Sequence, residues 1–538
     1  MNKYIKQIIL TVSIVFASAI TSEAQVNPKE KFDAFLQALH KNYVDTVDDD
    51  ELVDVAIKAM LKELDPHSKY YSRPQYGTKK QSMSGVFTGI GIEYSMQNDT
   101  ACVTQVIPEG PAEKAGILAG DRIIEIDSAV VAGKKLDNPD ILPKLRGPRH
   151  TTVHLIVMRH GKQIPVAITR DFIPDRSVRL TYMLNDSIGY ISLGIFNQTT
   201  REEVDTAIVS LSKKGMKTLI LDLQNNGGGY VESALGVADE FLNRDQLVYY
   251  SVGQDKGKDY YYAGGSGRFP KGKLIVLINQ ATASASEIFT GAMQDWDRAL
   301  VIGRRSFGKG LMQRPVPLFD GSVVELTGAR YYTPTGRSLQ KPYKHIDYFA
   351  EVENRFKTGE MTDLSKFKVA DSLMYKTLNN KRSVYGGGGI LPDVYIPVDP
   401  VEYSDWAKNV LGGNILSQAT FVYVDQHRNK LKAKYTDMAY FERDFKAPAS
   451  AIRNIMKEAN KQGFKPDKKD EVAARRLLSL EFKAQVAGQL YSGSKSYLRV
   501  LNEGNKPLLK ALEVLQRDQY DWLLKQNHQL QNTKHETK

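Results

Sequence analysis

The stretch from residue 273 to residue 313 constrains the fold most, because it places two buried strands on either side of a serine turn. The apolar run 274–278 predicts a strand covered on both faces. A polar turn and a helix beginning near Ser284 follow. A second apolar strand, 299–302, then leads to Lys309, which lies between glycines. A strand, a turn, a helix and another strand in this order predict an α/β domain.

Ser284 is the candidate nucleophile of this stretch, and Lys309 is its candidate general base. A serine hydroxyl attacks a carbonyl only when a base takes its proton. Lysine serves as that base when burial lowers its pKa. The first N–H groups of the helix can hold an oxyanion. The alternative is structural, because Ser284 and Glu287 have the spacing of a capping box and Lys309 can lie in a solvated turn.

Composition and charge exclude several classes of protein. The chain has 538 residues, enough for three or four domains. Its 73 Lys and Arg residues and 62 Asp and Glu residues are interleaved, and no arginine-rich block predicts nucleic-acid binding. Cys102 is the only cysteine, so neither an intramolecular disulfide nor a cysteine–cysteine metal site can form. His-Glu-x-x-His and Gly-Lys-Ser/Thr motifs do not occur, and we expect neither metal nor cofactor.

Residues 1–24 have the pattern of a secretory signal peptide. Lys3 and Lys6 precede the apolar stretch 8–20, and the small residues Ser22 and Ala24 flank a glutamate before the expected cleavage site. No other run is long and apolar enough to span a bilayer. Export of a chain without disulfides is typical of a bacterial periplasm. We therefore expect a soluble, exported protein, most consistent with the periplasm.

Residues 25–84 predict a helical region to which we assign no chemistry. Residues 85–171 predict short strands and glycine turns, and the sequences at 89–92 (Gly-Ile-Gly-Ile) and 115–121 (Ala-Gly-Ile-Leu-Ala-Gly-Asp) resemble a PDZ domain. PDZ domains add an extended peptide to a sheet edge and hold its terminal carboxylate on loop amides. The resemblance implies that these amides belong to Ile90, Gly91 and Ile92. The alternative is a small structural barrel with an unused groove.

Residues 172–400 predict an α/β domain. Its apolar strand 218–223 leads into a turn with three glycines, 227–229. The turn lacks the ending of a phosphate loop and the spacing of a dinucleotide fingerprint. A tight turn that offers backbone N–H groups is the remaining interpretation.

Several motifs in a fixed order resemble the C-terminal processing peptidases, or tail-specific serine proteases. They are Leu-Asp-Pro-His-Ser at 64–68, the PDZ-like segment, Asp-Leu-Gln-Asn-Asn-Gly-Gly-Gly at 222–229, Ala-Ser-Ala-Ser-Glu at 283–287, Phe-Gly-Lys-Gly at 307–310 and Leu-Pro-Asp at 391–393. The resemblance covers about residues 30–400. It implies a multidomain α/β plus β fold with a serine-peptidase core of the crotonase/Clp-like type.

The resemblance also assigns site residues. It places a serine–lysine dyad on Ser284 and Lys309, and Gln313 shares a strand face with the lysine and would orient it. The oxyanion hole would be formed by the N–H groups of Ala285 and Gly228. Asp295 is not expected to be a third member, because the intervening helix places it roughly 16 Å from Ser284.

Three regions depart from the family pattern or lie outside it. Gln224 and Gly227 replace the usual arginine and proline of the glycine turn, which should loosen it. A charged insertion at about 343–385 is expected to be mostly helical. The region 401–538 predicts long helices that pack on the protease, form a dimer interface or bind an adaptor; the sequence does not choose.

The expected function is therefore that of an exported serine endopeptidase that recognises free C termini, prefers apolar tails and cuts through an acyl-enzyme. A catalytically silent PDZ scaffold is the alternative, and a hydrolase of small esters is a further one. A histidine-based triad is not expected, although His67 and His345 lie near loops and stay open as contacts of the site.

Overall fold

A computed structural model describes residues 27–159, 161–344, 346–491 and 493–526. The predicted signal peptide, 1–24, lies outside these residues. The chain forms two compact units that divide after Leu64. The first contains helices α1 (Pro28–Asn42) and α2 (Asp49–Leu64). Asn27 caps α1 by accepting a hydrogen bond from the N–H of Lys29 at 3.1 Å.

The second unit begins with strand β1 (Lys69–Tyr71) and helix α3 (Arg73–Met83), and a small antiparallel sheet follows. Its elements are β2 (Val86–Gly89), β3 (Ile92–Gln97), β4 (Thr100–Val106), α4 (Pro111–Lys114), β5 (Arg122–Ile126), β6 (Ala129–Val130), α5 (Asn138–Leu145), β7 (Thr152–Arg159), β8 (Lys162–Thr169) and β9 (Asp171–Pro174). The main sheet has the order β3-β4-β5-β7-β8, and β2 pairs with β9. Strand β3 is therefore an edge strand next to the predicted carboxylate loop.

The largest part of the second unit holds the predicted catalytic residues. Its elements are β10 (Val178–Met183), β11 (Ile188–Leu193), α6 (Thr200–Lys213), β12 (Thr218–Asp222), α7 (Val231–Asp239), β13 (Leu247–Gly253), β14 (Lys258–Tyr262), β15 (Lys273–Ile278), α8 (Ala285–Asp295), β16 (Leu300–Gly303), β17 (Leu311–Pro317), β18 (Val323–Tyr332), α9 (Glu351–Lys357), β19 (Met374–Lys376), β20 (Ser383–Tyr385) and β21 (Val394–Tyr395). They build two larger sheets and the separate β19–β20 hairpin.

The first of these sheets has the order β10-β11-β12-β15-β16-β21 and is parallel except where β10 meets β11. Its central strands are apolar and buried, as expected when both faces are covered. Helices α6, α7 and α8 share one apolar core with one face. Because β12 and β15 are parallel neighbours, the loops that follow them emerge side by side. This arrangement brings the glycine turn to the serine turn.

The second sheet has the order β1-β18-β13-β14, and β17 pairs with β18. The β17–β18 register places Gln313 opposite Thr327, beside an irregularity between Met312 and Gln313. Strand β1 pairs with the same β18 strand, with Lys69 opposite Glu325. The end of the 64–68 motif and the strand of Gln313 therefore meet on one shared strand.

The C-terminal region is helical, as predicted, but its helices are more numerous and shorter. They are α10 (Asp405–Val410), α11 (Asn414–Lys434), α12 (Met438–Asp444), α13 (Ala449–Lys461), α14 (Glu471–Leu490), α15 (Ser494–Leu501), α16 (Lys506–Gln516) and α17 (Tyr520–Lys525). Leu508, Val514 and Tyr520 of the last two helices share a core with Ile220 and Ile275 of the first sheet. These helices cover the sheet face opposite α6, α7 and α8. The multidomain α/β plus β fold is confirmed.

The insertion at 343–385 is not mostly helical, so that expectation was wrong. Among its described residues, α9 is the only α-helix, followed by short 3₁₀ turns and the β19–β20 hairpin. Charged residues without a continuous apolar face give a helix little to bury, and isolated short helices are unstable. The segment is instead held by ion pairs, such as that of Glu360 with Arg305.

Candidate active site

Ser284 lies at the N-terminus of α8 in a strained conformation. Its φ of 58° and ψ of −118° lie in a region that L residues rarely adopt, at a cost of about 1–3 kcal/mol. The Ser284 N–H donates to Glu287 Oε2 at 2.8 Å. The capping interaction expected as the structural alternative is therefore present in part. A strained serine at a strand–helix turn is nevertheless a geometry that proteins keep mainly at functional sites.

Glu287 joins the serine turn to the lysine loop. Its fully buried carboxylate accepts hydrogen bonds from four donors: the N–H groups of Ser284, Gly308 and Lys309 and the hydroxyl of Ser306. Burial raises its pKa, and these four bonds act in the opposite direction. The N–H groups of Ser284 and Lys309 share one oxygen, Oε2. The two backbones therefore lie within two hydrogen-bond lengths of each other.

Tyr331 gives the two segments a second connection. Its buried hydroxyl donates to the Lys309 carbonyl and lies 3.4 Å from the Ser284 carbonyl. Burial raises the pKa of this hydroxyl well above its usual value, so it stays a donor. Sequence reasoning missed Tyr331, and its place in the aromatic, β-rich stretch that ends β18 gave no signal of this contact.

Lys309 has the environment of a lysine base. Burial, aided by the positive charge of Lys79, lowers its pKa from 10.5 to about 8. The carboxylates of Glu325 and Glu287 act in the opposite direction through space, without bonding to the amine. Near pH 8 a substantial fraction of the side chain is therefore neutral and able to accept a proton.

The predicted orienting residue, Gln313, donates its side-chain N–H to Thr327 Oγ1 at 3.1 Å. Among the hydrogen bonds of the described residues, none joins the side chains of Ser284, Lys309 and Gln313 to one another. Catalytic hydrogen bonds are often long without substrate and tighten when it binds. The structure thus brings the Ser284 and Lys309 segments together through their backbones, whereas the Gln313 side chain is bonded to Thr327.

Gly228 lies against the nucleophile. Its φ is +98°, and a Cβ there would lie 2.8 Å from Ser284 Cβ, so only glycine fits. The Gly228 N–H donates to Asn226 Oδ1 at 2.9 Å. Binding an oxyanion would require this bond to be shared or released. Ala285, the second predicted donor, is the first residue of α8, where an N–H has no acceptor within the helix.

The predicted carboxylate loop of the small sheet has suitable backbone directions. The Ile90 carbonyl accepts from Ala112 N–H at 2.8 Å, and the Gly91 carbonyl accepts from Ile107 N–H at 3.0 Å. In a trans peptide the next N–H points away from the carbonyl. The N–H groups of Gly91 and Ile92 are therefore turned away from these partners, beside the free edge of β3.

Asp295 has a structural role. It is buried at the end of α8, where it pairs with Arg337 at 2.6 Å and accepts from Thr335 N–H at 2.9 Å. These bonds satisfy its charge far from the serine turn.

The described part of the chain holds no group of three or more side chains suited to a metal ion. It also holds no helix that could cross a bilayer.

Sequence comparisons place these elements in known families. The Peptidase family S41 profile matches residues 187–348, and a PDZ domain profile matches 102–159. A profile of the activating protease CtpB N-terminal domain matches 10–74, and one of a family of unknown function matches 406–493.

Two curated relatives and one solved structure give the extent of the similarity. A carboxy-terminal-processing protease of Bartonella bacilliformis is 37% identical over 337 residues, covering 61% of this chain and 76% of the relative. A probable CtpA-like serine protease of Staphylococcus epidermidis is 35% identical, and the match covers 60% of this chain and 65% of that relative. The structure of a photosystem II D1 C-terminal processing protease is 30% identical, and the match covers 59% of this chain and 85% of that protein with a TM-score of 0.35. The predicted resemblance is confirmed: this chain is a serine-type peptidase of the S41, carboxy-terminal-processing family and carries a PDZ domain.

Proposed function

We propose that this protein is an exported endopeptidase that binds the free C terminus of a polypeptide and cuts it with a Ser284–Lys309 dyad. The observation that carries the proposal is the joint attachment of both backbones to the Glu287 carboxylate, with Lys309 buried beside it. This arrangement supports a base with a lowered pKa close to a strained serine.

The proposed reaction has two halves. Neutral Lys309 takes the proton of Ser284 Oγ as that oxygen attacks the peptide carbonyl carbon. The N–H groups of Ala285 and Gly228 bind the oxyanion, and the Lys309 ammonium then protonates the leaving amine. Water, deprotonated by the same lysine, hydrolyses the ester and releases Ser284. Activity should therefore rise from neutral to mildly alkaline pH.

Substrate selection is assigned to the PDZ domain. We infer that the N–H groups of Ile90, Gly91 and Ile92 bind the terminal carboxylate, while an apolar tail extends along edge strand β3. A positively charged start and an apolar stretch in residues 1–24 support export, with the periplasm as the expected location.

The test is cleavage of an unfolded protein that ends in an apolar tail, compared with the same protein amidated at its C terminus. Ser284→Ala and Lys309→Ala should each abolish cleavage, and amidation should weaken it. Tight tail binding without cleavage by the wild type would favour the silent-scaffold alternative. Full cleavage by Lys309→Ala would overturn the dyad.

A further inference from the structure

The turn formed by Asp65, Pro66, His67 and Ser68 lies near Lys309, although it belongs to the region 25–84 to which the sequence assigned no chemistry. Asp65 and Ser68 are each 7% exposed, and His67 is partly buried. The turn leads directly into β1, which pairs with β18. Two chains of contacts run from this 65–68 turn towards Lys309.

The first chain begins at the Asp65 carboxylate. It accepts from the N–H groups of His67 at 2.8 Å and Ser68 at 2.9 Å and from the Ser68 hydroxyl at 2.7 Å. These bonds outweigh burial and lower the pKa of Asp65, so it remains an acceptor. The single hydroxyl proton of Ser68 is therefore directed at Asp65.

The chain continues on β18. Ser68 Oγ accepts from Thr327 N–H at 3.1 Å and lies 3.5 Å from Thr327 Oγ1. The Thr327 hydroxyl also hydrogen-bonds the Asp65 carboxylate. Because the Ser68 proton is already used, the Thr327 hydroxyl donates its own proton to Asp65 or to Ser68. Thr327 Oγ1 is then the acceptor for Gln313 Nε2, 3.1 Å away. This order of donors fixes the Gln313 amide with its nitrogen towards Thr327 and its oxygen turned away.

The second chain begins at the His67 ring. Its Nε2 lies 2.9 Å from the Tyr348 hydroxyl, which in turn lies 3.4 Å from the carbonyl oxygen of Gly308. Tyr348 also packs edge-on against Phe307, with ring centroids 5.6 Å apart. Burial, together with the nearby charge of Lys309, lowers the pKa of His67 to about 3. The imidazole therefore stays neutral and brings no positive charge to the lysine.

We propose that Asp65, His67 and Ser68 are positioning residues for the catalytic base. Through Thr327 they set Gln313 so that its oxygen can accept a hydrogen bond from the Lys309 amine, and through Tyr348 they hold the Gly308 peptide that precedes this lysine. The inference rests on the proposed dyad but assigns a role that the dyad alone does not require.

The test compares Ser68→Ala with a matched control, Ser365→Ala. Ser365 makes the same type of bond, donating its hydroxyl to Asp363 Oδ2 at 2.7 Å, in an exposed turn. Steady-state cleavage of the apolar-tailed substrate is measured from pH 6 to pH 10, with thermal unfolding of each variant. Ser68→Ala should lower kcat by about 10- to 100-fold with little change in KM. Ser68→Thr should restore most of it, and Ser365→Ala should match the wild type.

The pH profile provides a readout that general destabilisation would not move. Lys309 is faced by Lys79 of α3, Glu325 of β18, Lys69 of β1, Glu287 of α8 and His67. Since Ser68→Ala changes none of these charges, a displaced profile midpoint would report a changed position of the amine or of Gln313. An unchanged kcat and midpoint would overturn the inference.

A double-mutant cycle distinguishes a loss that acts through Gln313 from one caused by general destabilisation of Ser68→Ala. If Ser68 acts through Gln313, the kcat loss from Ser68→Ala should largely disappear when Gln313 is already alanine. Independent, multiplying losses would overturn the inference while leaving the dyad intact. Failure of the wild type to cleave, with Ser284→Ala indistinguishable from it, would instead overturn the proposed function and the inference with it.

Discussion

Two lysines in neighbouring segments show how burial leads to different roles. Lys309, just before β17, has its pKa lowered to about 8 by burial, and its amine pairs with no carboxylate among the described residues. Lys341, in the segment leading to α9, is 1% exposed but lies 3.0 Å from Glu351 and over the rings of Phe307 and Tyr348. Burial lowers the pKa of Lys341 too, yet Glu351 favours its charged form. A bonded counter-ion therefore distinguishes Lys341 from the proposed base, Lys309.

The largest effect expected from this comparison is on catalysis. Lys309→Ala should reduce kcat/KM by at least about 10⁴-fold, because the serine would lose its base. Lys341→Met should keep most activity, since Glu351 retains Arg305 and Arg355 as partners. The measurement is cleavage of the tailed substrate at pH 8. Equal losses in the two variants would mean that the two lysines do not differ in role.

The second-largest effect is expected from Glu287, whose carboxylate joins the backbones of Ser284 and Lys309. Glu287→Gln replaces an acceptor that serves four donors with an amide whose NH₂ group meets some of them. We expect a loss of about 3 kcal/mol in the free energy of unfolding and about 100-fold in kcat. Urea denaturation and steady-state kinetics measure the two quantities. Glu232→Gln, at an exposed position in the first turn of α7, serves as a control.

Removal of Glu351, the counter-ion of Lys341, tests whether this lysine has a structural role. Glu351→Gln leaves three buried or partly buried cations, Lys341, Arg305 and Arg355, with less negative charge between them. The free energy of unfolding should fall by about 2 kcal/mol. Arg355 donates to the carbonyls of Ser306 and Phe307 next to Lys309, so kcat should also fall, but by less than in Glu287→Gln. An unchanged melting temperature would contradict this role of the insertion.

The smallest expected effect concerns pH. Burial lowers the pKa of Lys309 most, and the positive charge of Lys79 lowers it further. Lys79→Met should therefore raise the pKa of Lys309 and move the rise in kcat/KM to higher pH. The base is active above its folded-state pKa, and a raised pKa therefore costs activity at neutral pH. Glu325→Gln should move the profile in the opposite direction. A midpoint that both variants leave unchanged would mean that it does not report Lys309.

The sequence predicted the parts of the molecule that local pattern controls. The strand–turn–helix around Ser284 and the glycine turn were recognisable because apolar runs and glycines mark them directly. Partners that are distant in the chain were not recognisable. Gln224, which departs from the family pattern, bonds Asn505 at 3.1 Å, and no spacing in the sequence links these positions.

The pattern of charged residues in the sequence predicted neither the structure of the insertion nor its contacts. The charged insertion was expected to be mostly helical, but two of its carboxylates pair with residues outside it, Glu360 with Arg305 and Glu351 with Lys341. His67 was left open as a contact, and its bond to Tyr348, 281 positions away, required the folded chain. Hydrogen bonds between distant segments depend on topology, which periodicity does not encode.

The cover that α16 and α17 give to the central sheet has a consequence for folding order. Ile220 and Ile275 lie on a sheet face that is covered by Leu508, Val514 and Tyr520. Leu508 follows Ile220 by nearly three hundred positions in the chain. Contacts between segments so far apart in the chain form slowly, because the intervening residues lose conformational entropy before these contacts contribute any stability. Until α16 and α17 have docked, one face of the sheet that carries the serine and glycine turns stays uncovered, so the catalytic segment reaches its full stability only when almost the whole chain has folded.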